Sequence, residues 1–300
     1  MQVKGRVLSV ASECVPLIKT GGLADVVGAL PAALRGFGWD MRVLLPAYRR
    51  LRGHLAGMRE VWRAPGLWGG EGVVFAGKVE GVEMLLLDAP HLYDRDGGPY
   101  SGPGGDWPDN AQRFAALSWV GARLAREGVE GWMPDVLHAH DWQAGLAPAY
   151  LTYGGSTAVG SVITVHNIAF QGWADAGMID TLRLPREAFH PGQLEYYGGL
   201  SSLKAGLVTA DRITTVSPTY AAELTRPEFG MGLQGVILAR AGVVSGILNG
   251  VDTAVWSPER EPVPYSAAAM AGKAANRAAI CAEFGMAEPA GPLAIVVSPL

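Results

Sequence analysis

What constrains this chain most is a rhythm: short apolar runs alternate with segments of helical period, and the runs end in polar residues. Val7-Leu8-Ser9-Val10-Ala11, Met41-Arg42-Val43-Leu44-Leu45, Asp135-Val136-Leu137-His138, Ser161-Val162-Ile163-Thr164-Val165-His166, Arg212-Ile213-Thr214-Thr215-Val216 and Val243-Val244-Ser245-Gly246-Ile247-Leu248 each read as a strand of the kind buried inside a parallel sheet. Between them, Leu23, Val26, Val27, Leu30 and Leu34 recur three or four apart, as do Phe114, Leu117, Val120 and Leu124. Asp109 is placed to cap the second of these helices, and Pro31 predicts a kink or restart in the first. Gln143 to Tyr153 and Leu203 to Ala210 also read as helices, and Ser217-Pro218 starts another. Strands alternating with helices predict an α/β fold with a Rossmann-like, doubly wound parallel sheet.

Two stretches break the rhythm. Gly72 to Ala76 and Val82 to Leu87 read as strands of a hairpin-like excursion, separated by Gly77 to Gly81. Asp88 to Pro108 is a loop with five glycines and four prolines, and loops that long inside compact domains usually carry function or move. Near the end, Trp256 to Pro264 reads as a linker, Ala267 to Phe284 as a helix and Leu293 to Val297 as a buried strand. A lone apolar strand needs neighbours, so the expected division is 1–255 for the main domain and 256–300 for the start of a second, truncated one.

Composition narrows the class. With 49% hydrophobic residues the chain can fill a core, and 24 basic against 28 acidic residues, with no basic block, exclude a nucleic-acid binder. No window nears the about 18 apolar residues of a membrane span, and the N-terminus lacks a secretory h-region. Cys14 and Cys281 make neither a disulfide framework nor a CxxC pair. A cytoplasmic protein without membrane attachment is the expectation.

Ligands of open parallel sheets sit beyond the carboxyl ends of the strands. Polar residues cluster at four such ends: Glu13 to Asp25, His138-Ala139-His140-Asp141, His166-Asn167 and Asn249-Gly250-Val251-Asp252. Gly21-Gly22 at a helix start, beside Lys19, is either a phosphate or diphosphate cradle or an ordinary Gly-rich turn with a solvated lysine. It is not a P-loop, because Lys19-Thr20 precedes the glycines. His138 and His140 have the spacing of metal ligands, but further ligands are not evident. Asp141 with Trp142 suits a sugar, while His138 is read as a satisfied buried histidine. His166, beside Asn167, is a functional candidate or a core histidine, and Asn249-Gly250 is a site or simply a turn. Nothing has the Gly-x-Ser-x-Gly pattern of a hydrolase elbow.

Lys19-Thr20-Gly21-Gly22-Leu23-Ala24-Asp25-Val26, His138-Ala139-His140-Asp141-Trp142-Gln143-Ala144-Gly145, Thr164-Val165-His166-Asn167, Thr215-Val216-Ser217-Pro218-Thr219-Tyr220 and Leu248-Asn249-Gly250-Val251-Asp252 resemble, in order, bacterial glycogen synthases and plant starch synthases. The resemblance implies a GT-B fold of two Rossmann-like domains, of which this chain is the N-terminal one, and retaining transfer of glucose from ADP-glucose to the non-reducing end of an α-1,4-glucan. It implies donor binding by Lys19, Gly21, Gly22, Asp25 and Asn249, and catalytic roles for His166 and Asp141. It also places Glu13, Tyr93, Trp142 and Asn167 around the glucosyl and acceptor site. No cofactor and no metal are expected. The family's Ser-Arg-Leu is Ser298-Pro299-Leu300 here, without the arginine. The 300 residues alone are therefore expected not to transfer glucose, and two further expectations stand beside the enzyme reading, a glucan-binding module without transfer or half of a split enzyme whose C-terminal domain is supplied separately.

Overall fold

The computed structural model describes residues 3–251, 253 and 256–296. They form two compact units, Met1–Asn249 and Gly250–Leu300.

In the first unit, β1 (Gly5–Val10) leads through α1 (Gly22–Arg35) to β2 (Trp39–Pro46). A hairpin excursion follows: β3 (Arg59–Leu67), β4 (Gly70–Val79) and β5 (Val82–Asp88). One turn of helix, α2 (Pro90–Tyr93), and a ribbon of β6 (Ser101–Gly102) and β7 (Gly105–Asp106) occupy the proline-rich loop. The rhythm then resumes with α3 (Asn110–Glu127), β8 (Val136–His140), α4 (Leu146–Tyr153) and β9 (Gly160–Val165). A small antiparallel sheet of β10 (Trp173–Asp175), β11 (Glu195–Tyr196) and β12 (Gly199–Ser201) precedes α5 (Ser202–Thr209). The unit closes with β13 (Arg212–Thr215), α6 (Pro218–Glu223), α7 (Gln234–Ala239) and β14 (Val244–Gly246).

The main sheet has the order β14-β13-β9-β8-β1-β2-β5-β4-β3. All pairs from β14 to β5 are parallel, and only β4 runs antiparallel to its neighbours. The expected doubly wound sheet is therefore present, extended at one edge by a hairpin. Leu8, Val10, Val43 to Leu45, Leu85 to Leu87, Leu137, Ile163 and Val165 are fully buried, which is why these strands read as continuous apolar runs. Gly145 lets α4 meet the start of α5, since a Cβ there would stand 2.2 Å from the Ser202 carbonyl oxygen. From β1 the chain crosses through α1 to β2 on one side, while β8 lies on the other. The carboxyl ends of β1 and β8 thus flank the topological switch point, the place where open parallel sheets bind ligands.

Three local expectations need correction, and one strand escaped the sequence reading. Pro31 sits buried inside an unbroken α1, neither restarting nor ending it. Asp109 makes no capping bond; its carboxylate takes the Arg95 guanidinium, and an ion-paired oxygen is no longer offered to the helix amides. The hairpin turn is Glu80-Gly81 alone, both residues at positive φ, so Lys78 and Val79 stay in β4. β3 lies mostly exposed at the sheet edge and carries no apolar run, which hides it from pattern reading.

The second unit is built on α8 (Ala271–Glu283). Asn276 bonds both the amide and the carbonyl of Val263, and the Arg277 guanidinium donates to the carbonyls of Pro289 and Gly291. The strand expected from Leu293 is not formed over residues 293–296, and Val297 lies outside the described residues. Val296 is 93% exposed, and no other strand exists among the described residues of this unit to pair with it.

No helix among the described residues is long and apolar enough to cross a membrane.

Candidate functional site

The loop after β1 is held by a buried carboxylate. Glu13 accepts hydrogen bonds from Thr20 Oγ1 (2.6 Å), the Gly21 amide (3.2 Å), the Thr20 amide and the Tyr100 hydroxyl. Tyr100 and Ser12 lie within 2.8 Å through their hydroxyls, so the glycine-rich loop and the proline-rich loop are tied at one point. Glu13, expected to face a sugar, instead uses its oxygens within the chain. Lys19 pairs with Asp25 at 2.7 Å, both side chains about half exposed. Gly21 is the N-cap of α1 and brings no capping side chain. A Cβ at Gly21 or Gly22 would meet nothing within 4 Å. The fold itself therefore leaves room for a side chain at both positions, and what glycine provides is open approach to the first amides of a 14-residue helix.

Across the switch point, Asp141 follows β8 with φ +52°, the left-handed region that aspartate tolerates better than most residues. Its Oδ1 accepts the amides of His166 (2.6 Å) and Asn167 (3.3 Å), which clamps the end of β9 to the end of β8. Burial pushes its carboxyl up to about 7; the two amides pull it down and nearby Glu13 pushes it up. Near neutrality this group exists in both protonation states. Asn167 is exposed, and its Oδ1 accepts the Ala169 amide.

Alternation along parallel strands puts Ser9, His138, His140 and Thr164 on one side of the sheet. The His138 and His140 rings stack with centroids 4.1 Å apart. His140 is fully buried; its Nε2 lies 3.2 Å from Ser9 Oγ and its Nδ1 3.0 Å from His166 Nε2. His138 Nε2 lies 2.6 Å from Thr164 Oγ1, which is 2.6 Å from Thr214 Oγ1. Burial lowers His138 and His166 to about 4 and His140 well below the ordinary value, so all three rings are neutral at pH 7. The spacing of His138 and His140 is that of metal ligands, yet the rings stack and do not converge. No group of three or more His, Cys, Asp or Glu that could hold a metal occurs among the described residues.

The other expected site residues divide. Trp142 packs against Phe114 at 5.0 Å and Tyr100 at 6.5 Å between ring centroids, half-buried. Tyr93 is buried and its hydroxyl donates to the Arg113 carbonyl at 2.6 Å, and it lies in the lining of the cavity beside the glycine-rich loop. Asn249 stands exposed beyond the end of β14, and Asp252 lies outside the described residues, as do Ser298, Pro299 and Leu300. Sequence reading missed the buried Arg113, which donates to the carbonyls of Leu92 and Pro99 and to Asn110 Oδ1. With Lys19, Thr20, Arg49 and Arg95 it lines a cavity of about 410 Å³ beside the glycine-rich loop. Ser9, Ser12 and Tyr100 were also missed, since neither motif nor period marks them.

A parallel sheet with a glycine-opened helix start after β1 and a buried carboxylate–histidine cluster at the ends of β8 and β9 defines a Rossmann-like domain. Residues 6–239 match the family model described as the starch synthase catalytic domain, and the chain belongs to that family. A glycogen synthase of Cereibacter sphaeroides is 71% identical over 99% of this chain, and one of Paracoccus denitrificans 56% over 98%. The catalytic domain of starch synthase IV from Arabidopsis thaliana, bound to ADP and acarbose, superposes with a TM-score of 0.75 at 27% identity, over 96% of this chain and 60% of that one. The chain spans about 62% of the length of the two glycogen synthases.

Proposed function

We propose that this chain is the acceptor-side domain of an ADP-glucose-dependent glycogen synthase, which transfers glucose to an α-1,4-glucan with retention. The observation that carries the reading is the pairing, across one switch point, of an open helix start beside Lys19 with the Asp141–His166 cluster. The α1 amides and Lys19 suit a diphosphate, which gains from both the oriented N–H groups and a nearby cation. Lys19 must loosen from Asp25 to serve it, a small cost for a half-exposed pair. Asp141 Oδ2, left over from the amide clamp, accepts a glucosyl hydroxyl, and neutral His166 hydrogen-bonds the same sugar. Positive charge develops on the ring in an oxocarbenium-like transition state, and a neutral His166 avoids the repulsion that an imidazolium would add there. The ADP in the starch synthase IV neighbour and the 50–71% identity of several glycogen synthases support the donor and the reaction. Asn249, Trp142 and Asn167 complete the sugar environment, and no metal or cofactor takes part.

The test is calorimetric titration of the chain with ADP-glucose and with maltohexaose, alongside incorporation of labelled glucose into glycogen. ADP-glucose binding that Lys19→Gln weakens at least tenfold is expected. Maltohexaose binding without ADP-glucose binding would leave a glucan-binding module, and binding of neither would overturn the reading.

A further inference from the structure

Ser9 lies outside the motifs of the family resemblance and His140 inside one of them without an assigned role, yet the two form a polar contact in which each has zero exposure. From their geometry, and resting on the functional reading above, we infer that Ser9 and His140 are positioning residues: they fix the tautomer of His166 so that it offers an Nδ1–H donor to the bound sugar.

The argument is a proton count. Among the described residues, Ser9 Oγ has one partner, His140 Nε2. A buried hydroxyl that accepted from that nitrogen would leave its own proton without an acceptor, and an unmatched buried donor costs more than an unused lone pair. Ser9 therefore donates, and His140 Nε2 is the bare, accepting nitrogen. A neutral imidazole carries one proton, so that of His140 is on Nδ1. Nδ1 lies 3.0 Å from His166 Nε2 and donates to it. His166 Nε2 is then the acceptor, and its own proton is on Nδ1, which has no partner among the described residues. Each step has one solution because burial keeps the rings neutral and every other ring nitrogen in the line is occupied. The chain runs Ser9 O–H to His140, His140 N–H to His166, and ends on the unpartnered His166 Nδ1–H, next to Asp141, whose Oδ1 holds the His166 amide. The two residues then present opposite capacities to a sugar: His166 donates to an oxygen lone pair, and Asp141 accepts a hydroxyl proton.

Two-bond proton–nitrogen NMR of the imidazoles, on the whole chain at pH 7.5 (about neutral, where the rings are uncharged), tests this. Both His140 and His166 should carry the proton on Nδ1. His140→Asn places an amide nitrogen near the former Nδ1 and should leave His166 unchanged. His140→Phe removes the donor, and His166 should become a mixture of tautomers. ADP-glucose affinity should fall about tenfold in His140→Phe, the value of one hydrogen bond, with ADP affinity unchanged. Should that variant not fold, Ser9→Ala serves, with His140 losing its single tautomer. A wild-type His166 protonated on Nε2, or a His166 tautomer indifferent to both Ser9→Ala and His140→Phe, overturns the inference. Correct tautomers in a chain that binds no ADP-glucose would uphold the relay and overturn the functional reading instead.

Discussion

The two sides of the switch point are built on opposite principles. On the β1 side, Lys19, Asp25 and the paired glycines stand in solvent, and one buried carboxylate, Glu13, holds the loop in shape from beneath. On the β8–β9 side the functional groups are themselves buried, and their charge states are set by enclosure. An exposed cradle keeps its charges but binds through them weakly in water. A buried cluster has strong, directional hydrogen bonds but must keep its rings neutral.

If that contrast is right, the largest effect belongs to the latch under the cradle. Glu13→Ala strips the acceptor from four donors and should destabilise the chain by about 3–4 kcal/mol, read by urea denaturation. A loss below about 1 kcal/mol would mean that water replaces the carboxylate, and that the loop is not held from below.

Acid should attack the buried side. The folded values of His138 and His166, about 4, lie below the ordinary 6.5, so the unfolded chain takes up protons first. Stability from these rings is complete above pH 6.5 and is lost as pH falls toward 4, about 3 kcal/mol for each. Asp141 acts with opposite sign: its value of about 7, raised from 3.8, costs most above pH 7 and nothing below 4. Two rings outweigh one carboxyl, and His140 adds to them, so the net expectation is a loss of about 3 kcal/mol across this window. Stability that rises on acidification would show that the rings are protonated in the folded chain.

Next in size is Lys19→Gln, expected to weaken ADP-glucose binding by about 1.5–3 kcal/mol while unfolding changes by less than about 1 kcal/mol, because the Lys19–Asp25 pair is exposed. The smallest effect is Gly22→Ala. With open space around its new Cβ, alanine should stabilise α1 by about 0.5 kcal/mol yet hinder the ligand. A stabilised variant with undiminished ADP-glucose affinity would remove Gly22 from the cradle.

How legible these regions were in sequence follows from the same contrast. Strands buried on both faces announce themselves as apolar runs, and β1, β2, β8, β9 and β13 fall where Leu8, Val43, Leu137, Ile163 and Ile213 predict. The start of α1 was legible because Lys19 and Gly21-Gly22 are unusual at a helix start. Side-chain partners were not. Nothing local distinguishes a tyrosine whose hydroxyl meets a backbone carbonyl, as Tyr93 does, from one facing a ligand. Asp109 reads as a cap until Arg95, fourteen residues earlier in the chain, takes its carboxylate. The run from Leu293 shows the limit of apolarity, for Ile295 and Val296 are exposed and have no neighbouring strand among the described residues.

The central claim is that one ligand spans both sides, its diphosphate at the cradle and its sugar at the buried cluster. Titrating Lys19→Gln and Asp141→Asn with ADP and with ADP-glucose tests it most directly. Lys19→Gln should weaken both ligands alike, and Asp141→Asn should weaken ADP-glucose while leaving ADP unchanged. If Asp141→Asn leaves both affinities unchanged, or lowers both equally, the cradle and the buried cluster do not share a ligand in this way.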